Sequence, residues 1–360
     1  MPKVSVIVPV YNVEAFLNTA MDSLVRQTLK DIEFICVNDG SRDGSPAILN
    51  EYAARDPRII LINKENEGYG KAMNIGIDRA SGEYIGILEA DDYVALTMFE
   101  DLYKAASENN LDWVKADFYR FTTDKEKESI TYTYSHLSCN PLDYGCVFRP
   151  AEKQSSFLYL MNTWSGIYRL SFLRSHNIRH HETPGASFQD NGFWFQTFMF
   201  AERAMILDTP FYRVRRDNPG SSVHDPNKVY AINREYDYIR TILADYPEYW
   251  ETLKGVYWRI RYLNYEGTLK RIDRRYVSEY VAAISEELKA GYSGKEFSSA
   301  DFPDGEWSRV QAIMENRGNI GPLPEPPLDG ELELLKNSRS YKLGRCLTYL
   351  PRKIRDLGKR

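Results

Sequence analysis

Strand and helix signals alternate four times within the first 90 residues, and this alternation limits the fold more than any other feature. Residues 4–10, VSVIVPV, are a β-branched run that reads as a buried strand. Asn12 offers a helix cap. Val13, Phe16, Leu17, Ala20, Met21, Leu24 and Val25 then recur at the spacing of an amphipathic helix. Residues 32–37 repeat the strand signal and run into Asn38-Asp39-Gly40. Ser45-Pro46 opens a second helix, with Ser as cap and Pro at the first helical position. A strand at 59–62, a helix over about 70–80 and a strand at 83–88 follow, the last ending in Glu89-Ala90-Asp91-Asp92. Such alternation implies a parallel sheet with right-handed crossovers. Open α/β sheets bind ligands at the carboxyl ends of their strands. Asn12, Asp39 and the carboxylates at 89–92 gather at those ends.

The remainder is less regular. Residues 93–120 read as helix then strand, 122–156 as polar loop, and 157–176 regain apolar periodicity around Trp164 and Tyr168. A helix at 190–203 and a strand with a basic turn at 204–216 follow. From 226 to 317 the pattern is helical, with ten tyrosines and two tryptophans between Tyr230 and Tyr280. Helix packing is the common fate of such aromatics; stacking on sugar rings is the alternative. Residues 318–330, GNIGPLPEPPLDG, read as a linker.

With 360 residues the chain suits about two domains and a sizeable core. Its formal net charge of −5 argues against a nucleic-acid partner. The sum hides an uneven distribution. Residues 336–360 hold nine Lys/Arg and one acid, Asp356, so the preceding 335 residues carry −13. Leu343, Leu347, Tyr349, Leu350, Ile354 and Leu357 are interleaved with those cations. A basic amphipathic segment over 331–360 is expected to contact an anionic membrane surface reversibly. The four cysteines show no metal-finger spacing and read as free thiols in a reducing compartment. There is no secretory signal pattern and no apolar run of about 18 residues. The expected location is therefore cytoplasmic, at the inner face of the cell membrane.

In an extended chain, positions i and i+2 share a face, so Glu89 and Asp91 are expected to project to one side and Asp92 to the other. Their mutual repulsion would be relieved by a divalent cation, and hard oxygen ligands suit Mg²⁺ or Mn²⁺. Asp39-Gly40 reads either as a turn or as a carboxylate that accepts hydrogen bonds from a nucleoside. Lys71, near a helix N-terminus after Asn66-Glu67-Gly68, suits an anionic group or plain solvent. His180-His181-Glu182 has no chelating helical spacing; His181 and Glu182 are candidates for acceptor contact. Trp164 and Trp194 suit either an acceptor sugar or the core.

Four segments make a resemblance specific: VSVIVPVYN at 4–12, VNDGSRDGS at 37–45, NEGYGKAMNIGI at 66–77 and ILEADD at 87–92. In order and spacing they resemble the family 2 glycosyltransferases of the GT-A fold, an α/β fold with a mostly parallel sheet flanked by helices. The similarity is continuous over about 3–120 and weaker to about 225. The resemblance implies a GT-A domain over 1–225, with Pro9, Tyr11 and Asn12 lining a nucleotide pocket. Asp39 would bind the base or ribose of a nucleoside-diphosphate sugar. Glu89, Ala90 and Asp91 stand in place of the family's D-x-D motif, with Glu where Asp is usual. Asp91 would ligate the metal and Asp92 would face the sugar or acceptor. In Gln189-Asp190, Asp190 matches the catalytic base and Gln189 replaces an acid. Arg215 and Arg216 would hold the diphosphate, and Asp217 and His224 are alternatives for a further metal ligand.

The expected activity is inverting, metal-dependent transfer of a sugar, from a UDP-sugar in the first place, to a glycan or lipid-linked acceptor in envelope or exopolysaccharide synthesis. Two rivals stand beside it. A nucleotidyltransferase would carry a Gly-rich, basic phosphate loop after the first strand, where this chain has Tyr11-Asn12-Val13-Glu14. A non-catalytic sugar-binding relative would tolerate Glu89 and Gln189.

Overall fold

The computed structural model describes residues 1–124, 128–186, 188–221 and 225–315. Strands β1 (Val4–Val10), β2 (Ile32–Asp39), β3 (Ile59–Lys64) and β4 (Tyr84–Ile87) pair in parallel in the order β3-β2-β1-β4. Helices α1 (Glu14–Val25), α2 (Ser45–Arg55) and α3 (Tyr69–Arg79) connect them. Val6, Ile7 and Val8 of β1, and Phe34, Ile35 and Cys36 of β2, are all fully buried. Burial on both faces explains why these strands read as unbroken apolar runs. Because β2 and β4 flank β1 on opposite sides, the winding reverses at β1. A crevice is expected at the carboxyl ends of the strands there.

Two helix starts differ from expectation. The cap of α1 is Val13. Asn12 instead adopts a left-handed conformation (φ 51°), which Asn tolerates, and its Oδ1 accepts the Arg42 N–H at 2.8 Å. Gly44 caps α2, while the Ser45 hydroxyl accepts the Val13 N–H at 3.1 Å. Both polar side chains tie the first two strand ends together rather than closing a helix.

Beyond β4 the sheet is mixed. Strands β5 (Tyr93–Val94), β6 (Trp113–Asp124), β7 (Ser129–Ser135), β8 (Gly166–Arg169) and β9 (Ala204–Arg215) extend it to the order β3-β2-β1-β4-β8-β6-β9-β5, with β7 paired to β6. Helix α4 (Met98–Glu108) leads into β6. Strand β8 runs antiparallel to β4 and β6, whereas β9 is parallel to β6. Strand β7 lies in a stretch expected to be loop. Residues 129–133 are exposed, so this edge strand has no buried face to impose an apolar alternation.

After α5 (Leu170–Ser175), helix α6 (Asp190–Phe200) is buried continuously from Asn191 to Phe200. Trp194 is core: it lies 4.8 Å from Phe198, ring to ring. The helical region comprises α7 (Ala231–Ala244), α8 (Pro247–Arg271), α9 (Arg274–Ser293) and α10 (Asp304–Met314). Its tyrosines are packing residues. Tyr236, Tyr257, Tyr262, Tyr265 and Tyr280 are fully buried, and the Tyr257 hydroxyl donates to the Tyr236 carbonyl at 3.0 Å. Helix α6 packs on α7, and α7 on α8. Among the described residues no helix is long and apolar enough to cross a membrane. The expected linker at 318–330 and basic tail at 331–360 lie outside the described residues.

Candidate active site

A cavity of about 950 Å³ opens at the strand ends where the winding reverses. Pro9, Tyr11, Asp39, Glu89, Ala90, Asp91, Asp92, Trp164, Asp190, Arg215 and Arg216 all line it. These residues span more than 200 positions of sequence. The cavity is thus built by β1, β2 and the turn after β4 on one side, and by α6, β9 and the loop before β8 on the other.

Asn12, Lys71, His181, Glu182, Asp217 and Trp194 were expected candidates and do not line it. Asn12 uses its carboxamide on the 41–42 loop. Lys71 pairs with Glu182 at 2.9 Å, and the other Glu182 oxygen accepts from Asn74 at 2.9 Å, so this ion pair ties α3 to the segment before α6. His181 stacks on Tyr238 at 4.2 Å and 8°, with Nδ1 3.1 Å from Glu235 Oε2, and so faces α7. His224 lies outside the described residues. Asp217 is held by the Thr123 N–H at 2.6 Å and by Arg215 at 3.1 Å, and does not line the cavity.

Asp39 is buried, and its carboxylate takes four donors: Lys64 Nζ at 2.6 Å, Asn66 Nδ2 at 3.2 Å, and the N–H groups of Glu67 at 3.0 Å and Gly68 at 2.9 Å. A carboxylate offers about four lone-pair sites, so a ligand donor reaching Asp39 competes with one of these. The same bonds correct the expectation of an anion site at the start of α3. The Gly68 N–H is spent on Asp39, and the Tyr69 N–H donates to the Gly185 carbonyl at 3.0 Å. Gly68 needs to be glycine twice over. Its φ is +100°, and a Cβ there would meet the Gly185 nitrogen and Thr183 oxygen at 2.7 Å.

The acidic segment after β4 is a turn, not an extended strand. β4 ends at Ile87, and the Asp92 N–H donates to the Glu89 carbonyl at 3.0 Å. The alternating-face argument therefore fails, and each acid is placed by its partner. Glu89 accepts from the Tyr69 hydroxyl at 2.8 Å. Asp91 accepts from Asn218 Nδ2 at 2.7 Å. Asp92 is buried and accepts from the Tyr212 hydroxyl at 2.9 Å and the Arg215 N–H at 2.6 Å. Its carboxylate fastens β9 to the turn at the cavity wall. Burial, reinforced by the charges of Asp91 and Asp190, pushes the Glu89 carboxyl up to about 8 despite the opposing Tyr69 hydrogen bond. Burial and then the Asp91 charge hold Asp92 well above the usual carboxylate range.

Asp190 is the first residue of α6, with Gln189 at the cap position. Gln189 donates to Thr183 Oγ1 at 2.8 Å and to the Gly185 carbonyl at 3.0 Å, fixing the loop that meets Gly68. Burial raises the Asp190 carboxyl, which strengthens it as a base. His180 is stacked on Phe193 at 4.4 Å and 4°, and burial pushes it down to about 3, so it is a neutral packing ring. Trp164 reaches the cavity while its ring lies 4.3 Å from that of Tyr212. The Arg215 side chain is occupied by the Asp91 carbonyl at 3.0 Å and by Asp217, whereas Arg216 is exposed. Tyr69, Tyr212 and Asn218 were not singled out by pattern. Tyr69 sits inside the NEGYG motif, and its position between two glycines is the signal that marks it. Nothing local marks Tyr212 or Asn218.

The donor set fits a divalent cation. Asn218 occupies one Asp91 oxygen, and Asp91 Oδ1 has no hydrogen bond among the described residues. Glu89, Asp91 and Asp190 line the same cavity and gather carboxylates there. Among the described residues, no three His, Cys, Asp or Glu side chains form a ready-made cage. One or two carboxylates completed by ligand phosphates and water is the usual arrangement for Mg²⁺.

This curled, mixed sheet with an acidic turn at its switch point is that of a nucleotide-sugar transferase of the GT-A type, and the chain belongs to glycosyl transferase family 2, whose profile matches residues 5–196. It is 38% identical over 229 residues to the uncharacterized glycosyltransferase EpsJ of Bacillus subtilis (strain 168), covering 63% of this chain and 65% of that protein. It is 33% identical over 246 residues to the uncharacterized glycosyltransferase YibD of Escherichia coli (strain K12), covering 67% and 70%. The chain spans 30% of the length of the glycosyltransferase GlyA of Streptococcus pneumoniae serotype 4, so part of that relative has no counterpart here. Among solved structures, S. aureus TarS 1–349 in complex with UDP-GlcNAc superposes with a TM-score of 0.60 over 87% of each chain. At 16% identity this is a likeness of fold.

Proposed function

We propose that this chain transfers a sugar from a nucleoside-diphosphate sugar, a UDP-sugar in the first place, to a hydroxyl of a glycan or lipid-linked acceptor. The observation that carries the reading is the placement of Asp190 and Asp91 on one cavity, from the start of α6 and from the turn after β4. An acceptor hydroxyl is a poor nucleophile until a base takes its proton during attack. Asp190 is that base, and burial keeps its affinity for the proton high. Asp91, steadied by Asn218, with Glu89 beside it, would hold Mg²⁺ or Mn²⁺, which supplies positive charge for the leaving diphosphate. Arg216, exposed at the cavity wall, adds a guanidinium suited to phosphate oxygens. Pro9 and Tyr11 wall the nucleoside end. Attack from the Asp190 side with departure on the Asp91 side inverts the anomeric carbon.

Family membership and the likeness to TarS, which was solved with UDP-GlcNAc, support the donor class. We further propose that the chain works in envelope polysaccharide synthesis on the cytoplasmic side of the membrane, with the basic 331–360 segment as its contact. The charge pattern of that segment supports this. The deciding experiment is a thermal-shift and hydrolysis screen of UDP-, GDP- and dTDP-sugars with Mn²⁺. One sugar nucleotide should raise the melting temperature and be turned over. If none binds, the reading is wrong.

A further inference from the structure

A second cavity, of about 470 Å³, lies beside the first and shares Phe188 and Asn264 with it. Helices α7 and α8 of the helical region supply most of its wall. Its charge is opposite in kind. Six carboxylates line the larger cavity, those of Asp39, Glu89, Asp91, Asp92, Asp190 and Asp225, against three cations, Arg215, Arg216 and Lys228, whereas no carboxylate lines the smaller one, to which Lys270 and Arg271 contribute. Lys270 is exposed and makes no ion pair with a described residue. Lys270 and Arg271 give this cavity a local surplus of cation.

Two backbone observations point the same way. Gly267 lies inside the 25-residue helix α8 and lines this cavity. A glycine in a helix interior weakens the helix relative to alanine. No neighbour requires it here, because a Cβ at Gly267 would meet nothing within 4 Å. What the missing side chain provides is open floor. Phe188 has φ +69°, a left-handed conformation that is an outlier for a bulky residue. Such strain gathers at ligand-binding positions. Phe188 stands two residues before Asp190 with its ring on the wall between the cavities. Arg271 braces it: the guanidinium lies 5.1 Å over the ring and donates to the carbonyls of Asp225 at 2.6 Å and Lys228 at 2.8 Å. Asn264 donates to the Tyr236 hydroxyl at 2.9 Å and to the Ile260 carbonyl at 3.0 Å, which leaves its Oδ1 to accept a ligand hydroxyl.

We infer that this cavity is the acceptor subsite, and that it takes a sugar ring carrying an anionic substituent, a phosphate or a carboxylate. The inference rests on the glycosyl-transfer reading above and adds the acceptor class to it. The ring lies on the Gly267 floor against Phe188, its anionic group near Lys270, and the chain of the acceptor passes Phe188 and Asn264 toward Asp190.

The test is calorimetric titration of the full chain, with saturating UDP filling the donor cavity. The probes are a hexose 1-phosphate, a hexuronate, the matching methyl hexoside and inorganic phosphate. At least one anionic sugar should bind tenfold or more tightly than the methyl hexoside. Gly267→Phe should abolish that binding, and Gly267→Ala should keep it within threefold. Lys270→Gln, a surface change that preserves folding, should remove the preference for the anionic sugar. UDP affinity should stay within twofold in all three variants. Equal binding of charged and neutral sugars, unchanged binding in Gly267→Phe, or a preference that survives Lys270→Gln would each overturn the proposal. Phosphate binding as tightly as hexose 1-phosphate would overturn its sugar part. An unaltered chain that binds the anionic sugar but neither UDP nor any other nucleotide would overturn the donor reading, and with it the acceptor role of this cavity.

Discussion

Lys115 on β6 is buried with no carboxylate beside it. Its Nζ donates to the Asn162 carbonyl at 2.6 Å and the Tyr168 hydroxyl at 3.0 Å, and burial pushes its pKa down from 10.5 to about 7. Asn162 lines the donor cavity, so this amine props a wall of the site. The perturbation is Lys115→Met, which keeps the length and removes the amine. The folded-state pKa lies below the unfolded one, so between about pH 7 and 10.5 the unfolded chain binds more protons. Stability then rises with pH through that window. Below pH 7 the burial penalty is fully present. A shift of about 3.5 units corresponds to roughly 5 kcal/mol at most, at about 1.4 kcal/mol per unit. Between pH 7 and 9.5 the Met variant's advantage over the unaltered chain should therefore shrink by roughly 2–3 kcal/mol. All other titrating groups are common to both proteins and cancel. Urea unfolding of the two proteins at half-unit pH steps measures this directly. A stability gap that is constant across the window would refute the reasoning, because Lys115 would then keep its ordinary pKa inside the fold.

Other outcomes follow from the site. Asp190→Asn should lower the turnover number by about 10²–10⁴, the usual contribution of a positioned base, with UDP binding retained in titration; unchanged turnover would remove Asp190 from the chemistry. EDTA should abolish transfer and Mn²⁺ restore it, and Asn218→Ala should raise the Mn²⁺ concentration needed for half-maximal rate by freeing Asp91 to turn away. Deleting 331–360 should release the protein from anionic liposomes in a flotation assay without changing its melting temperature; undiminished binding would exclude the segment as the contact.

The half of the site that precedes residue 92 was legible because each of its parts is local. A β-branched run, a helical period and a polar strand end are each readable within ten residues, and the parallel topology then brings Pro9, Asp39 and Asp91 together. What pattern could not supply was the partner of each side chain. Lys71 looked free for an anion because nothing near it in sequence announces Glu182, 111 residues away. The donors that hold Asp92, Tyr212 and the Arg215 N–H, arrive from β9 more than 100 residues later and leave no trace near it in sequence. Asp190 was found only through a family motif, since an acid at a helix start is otherwise an ordinary cap. The smaller cavity left no local signature at all. A glycine in a long helix looks like a blemish until the space above it is known.

The antiparallel seam between β4 and β8 joins the four parallel strands to the mixed part of the sheet. Before it lie Pro9, Tyr11, Asp39 and the acidic turn, all within about 90 consecutive residues. After it come the base, the aromatic wall and the helices α7 and α8. A one-residue slip of pairing at that seam would carry one wall of the cavity about 3.3 Å past the other and part Asp91 from Asp190.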